Sequence, residues 1–185
     1  MARYRRTRKY TRYGRRTKWS SNIQEISSDV SNGNEGYNIR THVLAYNPIQ
    51  TNTATSQTYT VKNFDVSFIF EAKNTQYVSR IENICAYIMF VPQGMNVTAN
   101  YNIEHPEYIM ATKFIGSPAS DFAGLQNFDL AMGQNYQPHR IRTRLSRTLN
   151  TGDSIQLFIK FTLPADVTGT YAEYHGLAKW WTKAN

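Results

Sequence analysis

The chain of 185 residues has a single cysteine, Cys85, so no intrachain disulfide can form and no thiolate cluster can hold zinc. Its four histidines, His42, His105, His139 and His175, are scattered, with no His-x-x-x-His pair. Neither a Gly-x-Ser-x-Gly elbow nor a phosphate loop is present. Aspartates and glutamates are equally dispersed, so a carboxylate pair could arise only through folding. No catalytic residue, metal ligand or cofactor can be named from these patterns, and a non-enzyme is expected. Long apolar runs are missing as well. The longest uncharged one, Ile84 to Pro92, falls far short of the roughly 20 residues of a membrane helix. The first residues contain no apolar segment of the signal-peptide kind. The expectation is a soluble protein without membrane insertion, made in a reducing compartment, where the sequon Asn96-Val97-Thr98 has no role.

Acids are absent from residues 1 to 18, and this absence shapes the rest of the reading. That stretch holds nine cations: Arg3, Arg5, Arg6, Arg8, Lys9, Arg12, Arg15, Arg16 and Lys18. The chain as a whole has 21 Lys and Arg against 13 Asp and Glu, so the remainder carries 12 cations and 13 acids and is near neutral at −1. A basic arm attached to a neutral body is a different device from a basic fold. With no aliphatic residue beyond Met1 and Ala2, and with like charges this dense, residues 1 to 19 are expected to be disordered or extended when free. Tyr4, Tyr10, Tyr13 and Trp19 are interleaved with the arginines. Guanidinium groups neutralise phosphates and release counterions, while aromatic rings stack on exposed bases for about 1 to 3 kcal/mol each, without reading sequence. A single-stranded nucleic acid is the partner this composition suits. A basic tail of a ribosomal or chromatin protein has the same composition. A transit peptide fits less well, because no amphipathic apolar face is present. The clusters RRTRK at 5 to 9 and RRTK at 15 to 18 could also engage nuclear-import factors.

Residues 20 to 35 are polar and read as a linker or irregular segment, or as an irregular first strand, leaving 36 to 185 as the folded domain. There the period is 2. Phe64, Val66, Phe68 and Phe70 share one face of a strand and Asp65, Ser67 and Glu71 the other, with Ile69 breaking the polar side. Residues 80 to 91 are apolar on both faces, the mark of a central strand, which places Cys85 in the core. Further strands are expected at 37 to 46, 108 to 115, 140 to 149, 154 to 163 and 168 to 182, with a weaker candidate between 121 and 132. Asn150-Thr151-Gly152-Asp153 reads as the loop of a hairpin. Tyr171, Tyr174, Leu177, Trp180 and Trp181 fit neither period cleanly, and at least one tryptophan is expected in the core. The six prolines fall between the runs, as a sheet requires. About eight strands in about 150 residues is the count of a jelly roll. Alternation puts Arg140, Arg142 and Arg144 on one face of their strand, either lining a nucleic-acid-facing surface or paired with acids of an adjacent strand or subunit.

Four pieces in order, SQTYTVKNFDVSFIFE (56 to 71), AYIMFVPQGMNVTANYNIEHPEYIMATKFIGSP (86 to 118), RIRTRLSRTLNTGDSIQLFIK (140 to 160) and GLAKWWTKAN (176 to 185), resemble the coat proteins of circular, replication-initiator-encoding single-stranded DNA (CRESS DNA) viruses of the circovirus-like group. The resemblance implies an all-β, eight-stranded jelly-roll sandwich and a capsid of icosahedral form, with sixty copies (T=1) and the arm inside on the genome. It implies a virion location, assembly in the host nucleus and a host receptor of unknown identity. Sixty arms would supply ~540 cations, fewer than the phosphates of a genome on the order of a thousand nucleotides or more, so body arginines or mobile cations must make up the difference. Two other readings compete: a monomeric cellular nucleic-acid-binding β-barrel with a basic tail, and a β-sandwich enzyme or lectin whose tail is incidental.

Overall fold

A computed structural model describes residues 18–31, 36–49, 57–72, 82–116, 138–163 and 170–184. Eight strands run through them in chain order: β1 (Ser20–Ser31), β2 (Gly36–Tyr46), β3 (Tyr59–Ala72), β4 (Glu82–Val91), β5 (Ile109–Gly116), β6 (His139–Leu149), β7 (Ser154–Leu163) and β8 (Thr170–Ala184). A helical turn, α1 (Tyr101–Glu104), and a 3-10 turn at Pro106–Tyr108 precede β5. The strands form two antiparallel four-stranded sheets, ordered β1-β8-β3-β6 and β2-β7-β4-β5. Only β4 and β5 are consecutive strands that pair with each other; every other connection between consecutive strands passes from one sheet to the other. Two sheets wound in this alternating order are a jelly roll, not the closed barrel of the cellular-protein reading.

The alternation read from β3 is what closes the sandwich. Phe64, Val66, Phe68 and Phe70 are all buried and meet Ile84, Ala86 and Ile88 of β4 and Ile155, Leu157, Ile159 and Phe161 of β7 in one core. β4 is central, flanked by β7 and β5. Its outward residues are covered because residues 92 to 108 fold back over that sheet. Tyr101 of α1 stacks on Phe158, 5.8 Å between ring centroids, and with Met89 and Val91 makes a second apolar cluster. Burial, reinforced by the nearby Tyr108 and Glu107, pushes the Tyr101 phenol up to about 12.

Several expectations need correction. Of the alternatives for residues 20 to 35, the strand holds over 20 to 31 and the linker does not: β1 pairs with β8 along its whole length, from Ser20 opposite Thr182 to Ser31 opposite Thr170, and buries Ile26 and Val30. Its outward positions are polar apart from the exposed Ile23, because only one face of this sheet meets the core. Residues 32 to 35 lie outside the described residues, as does the strand candidate at 121 to 132. The turn at 150 to 153 closes no hairpin, since β6 pairs with β3 while β7 pairs with β2 and β4. It is a corner between the sheets, tied by the buried Asp153. The Asp153 carboxylate accepts hydrogen bonds from the amides of Asn150 (2.9 Å) and Gln93 (3.0 Å). Cys85 is half-buried on the outward face of β4, opposite Lys160 of β7, and not in the core between the sheets.

β8 explains its own irregular spacing. Its inward positions are Ala172, Tyr174, Gly176, Ala178 and Trp180, three of them too small to register as core, while Leu177 and Trp181 face outward. A Cβ on Gly176 would lie 2.2 Å from the Ser67 carbonyl oxygen and 2.6 Å from the Phe68 Cβ, so only glycine lets β8 lie this close to β3.

Candidate nucleic-acid interface

The outward face of the β1-β8-β3-β6 sheet can be read row by row, because directly opposed residues of antiparallel strands share a face. Ile23, Lys179, Asp65 and Arg142 form one row across the four strands; Glu25, Leu177, Ser67 and Arg140 form the next. Beyond the first of these rows, toward the start of β3, lie Ser21, Trp181, Lys62 and Ser146. Thr60 is opposed there by Lys183. In the other direction come Ser27, His175 and Ile69, then Asp29, Glu173 and Glu71. Charge is therefore segregated along the strands. Cations and tryptophans gather where β3 begins, and carboxylates where it ends. At the acidic end His175 Nε2 lies 3.3 Å from Glu173 Oε2 and 3.8 Å from Glu71 Oε2.

The basic end is shaped by an irregularity in β3. Asn63 takes a left-handed conformation, φ 55°, which asparagine tolerates better than most residues. The register jumps there against both neighbours, between Lys62 and Phe64 on the β6 side and between Lys62 and Asp65 on the β8 side. Such a bulge re-aims side chains and opens the ladder. The result is a concavity of ≈ 430 Å³ over β3, lined by Asn63 and Asp65, by Arg142, Thr143 and Arg144 of β6, and by Trp181 of β8. Under it Phe64 is buried and stacks on the buried Trp180, 6.2 Å between centroids.

The predicted β6 arginines divide. Asp65 takes two of them: Arg140 Nε donates to Oδ1 at 2.7 Å while its Nη2 meets Oδ2, and Arg142 Nε lies 3.2 Å from Oδ2. Arg144 is exposed and makes no ion pair among the described residues. The two alternatives for this trio thus apply to different members, with pairing on the adjacent strand at 140 and 142 and an open guanidinium at 144. Leu145 is exposed, since the register shift opposite the bulge ends the simple alternation after Thr143.

Of the arm, Lys18 and Trp19 are described. Trp19 lies at the edge of the body with the Lys62 ammonium 3.8 Å above its ring, a cation–π contact that takes one face of the indole assigned to base stacking. Arg3, Tyr4, Arg5, Arg6, Arg8, Lys9, Tyr10, Arg12, Tyr13, Arg15 and Arg16 lie outside the described residues. Trp181, Lys62, Lys179 and Lys183 were not expected as members of a site. A strict period of 2 through 170 to 184 would have put 179, 181 and 183 on one face.

The four histidines are not brought together. His42 Nε2 is 2.6 Å from the Tyr174 hydroxyl, and burial lowers its pKa; His139 packs against Phe68 and Phe70; His105 faces Glu107 at 3.3 Å; His175 belongs to the acidic end. No helix among the described residues is long and apolar enough to cross a membrane.

No family model and no curated protein matches the sequence. Among solved structures, that of Desmodium yellow mottle tymovirus aligns with 12% identity and a TM-score of 0.43, covering 93% of this chain and 90% of that one. The decameric BFDV capsid protein aligns with 9% identity and a TM-score of 0.35, over 92% of this chain and 100% of that one. A CocE/NonD family hydrolase from Staphylococcus aureus scores 0.36 with 10% identity, over 90% of this chain but 33% of its own. Similarities this distant join virus coat proteins and a hydrolase alike, so the fold rests on the strand order observed directly, and function on the residues.

Proposed function

We propose that this chain is a viral coat protein that assembles into a small icosahedral shell of sixty copies and packages circular single-stranded DNA through its arginine-rich arm. The observation that carries the reading is the division of charge. Nine cations and no acid occupy residues 1 to 18, joined to a body of net charge −1 folded as a jelly roll. A near-neutral wall can pack against copies of itself without the mutual repulsion that a basic fold would suffer, while the arm binds phosphate by counterion release. Arg140, Arg142 and Arg144 sit on the sheet face that also carries Lys62, Lys179 and Lys183, and in this reading that face lines the lumen. Assembly belongs in the host nucleus if the arm also engages import factors, and the mature location is the virion.

The test is expression of the full chain, electron microscopy, and the absorbance ratio of the product after nuclease treatment. Closed particles holding protected nucleic acid are expected. Removal of residues 1 to 18 should leave a folded body and abolish that protection. Monomers under every assembly condition would refute the shell, and monomers that still bind oligonucleotides would favour a free-standing nucleic-acid-binding protein.

A further inference from the structure

We propose that the concavity beside the β3 bulge seats one nucleotide of a single-stranded nucleic acid, with its base stacked on the Trp181 indole and its phosphate held by Arg144. The inference rests on the packaging reading and deepens it, because it assigns the folded body a discrete contact of its own.

Three features of the site converge. The first is shape. A volume of ≈ 430 Å³ lies within the range of about 300 to 1,000 Å³ usual for small-ligand sites, and the bulge at Asn63 makes it by breaking the pairing on both sides at one point. The second is the placement of the aromatic. Trp180 supplies the core anchor, buried and stacked on Phe64, whereas Trp181 remains half-buried on the outward face and forms one wall of the concavity. An indole left beside open space on this face suits stacking, which is worth about 1 to 3 kcal/mol per base and tolerates any base. The third is charge. Asp65 also lines the concavity and would repel a phosphate placed next to it, but its carboxylate already holds Arg140 and Arg142. Arg144, across the concavity from Trp181, is exposed and pairs with no acid among the described residues, so an anion is directed to that end. Lys179, with its ammonium over the Trp181 ring at 5.1 Å from the centroid, covers one face of the indole and adds positive charge there, so the base is assigned to the other face. Aromatic and guanidinium on opposite walls match the two ends of one nucleotide, an apolar base and its phosphate.

The test uses the full chain and a twelve-nucleotide DNA carrying 5-iododeoxyuridine, irradiated, digested with trypsin and analysed by mass spectrometry. Cleavage after Lys179 and Lys183 isolates the peptide 180–183. The expected adduct is on Trp181, together with adducts on Tyr4, Tyr10 and Tyr13 of the arm. Arg144→Ala should lower the Trp181 adduct at least about tenfold, the loss expected for one charge-assisted hydrogen bond, and leave the arm adducts unchanged. Arg144→Lys should restore part of it. Thermal unfolding of both variants checks the fold, which loss of an exposed arginine with no ion pair among the described residues should not disturb. A labelled arm with an unlabelled Trp181, or a Trp181 adduct indifferent to Arg144, overturns the proposal and leaves the packaging reading standing. Equal labelling by the free iodinated mononucleotide overturns the assignment to a polymer. A folded chain labelled neither on the arm nor on Trp181 overturns the packaging reading, and this site with it.

Discussion

Replacing Asp65 with asparagine removes the carboxylate that, among the described residues, holds Arg140 and Arg142, and if the sheet face meets nucleic acid the change must appear in the salt dependence of binding. The two ion pairs are solvent-screened, with the arginine side chains 52% and 58% exposed and Asp65 29% exposed, so losing them costs about 0 to 1 kcal/mol each and the body stays folded. The gain is electrostatic: two guanidinium groups become available for phosphates. For a single strand, the slope of log K against log salt is about −0.7 per phosphate neutralised, so the nine arm cations account for at most about −6. Two further contacts add at most about −1.4, which steepens the loss of affinity about sevenfold over a fourfold rise in salt. The assay is fluorescence anisotropy of a labelled oligonucleotide with the full chain across a salt series. Glu25→Gln is the control. It also removes one negative charge from the same face but releases no guanidinium, as Glu25 is opposed by Leu177. A slope in Asp65→Asn no steeper than in Glu25→Gln would refute the placement of nucleic acid on this face.

Gly176→Ala should destabilise the body by about 3 kcal/mol, the upper part of the usual range for overpacking, because the new methyl meets Ser67 backbone and the Phe68 Cβ rather than a flexible side-chain end. Denaturant unfolding checks this, and a change below about 0.5 kcal/mol would show that β8 and β3 can part at little cost. Asp153→Ala leaves the Asn150 and Gln93 amides without their acceptor at the corner between β6 and β7, and should cost about 2 to 4 kcal/mol by the same measurement. Stability should also fall on acidification below about pH 6.5. Burial lowers the His42 pKa in the folded state, so the unfolded chain binds the proton more readily, and the His42 contribution, complete above 6.5, is lost as pH drops toward the lower folded value. Unfolding midpoints at pH 7.5 and 5, with His42→Gln showing a weaker dependence, test the assignment.

Local composition and a clear period of 2 were enough to read part of this chain. The division of charge is a matter of composition alone, nine cations and no acid in residues 1 to 18 against a near-neutral remainder. The strands β3, β4 and β7 were legible because their inward positions are large and apolar: Phe64 to Phe70, Ile84 to Ile88, Ile155 to Phe161. Tertiary structure decided the rest. β1 left linker and strand both open because Ile26 and Val30 are the apolar residues among its inward positions, and its stability comes from pairing with a partner some 150 positions away. β8 looked aperiodic because Ala172, Gly176 and Ala178 take core positions where β3 presses close, a demand that only the packed sheet imposes. The corner at Asp153 looked like a hairpin because a turn motif fixes a change of direction but not the sheet that receives the next strand. The concavity walled by Trp181, Arg142 and Arg144 joins β8 and β6 across a bulge in β3, and residues some 40 positions apart in sequence become neighbours only through the register of three strands.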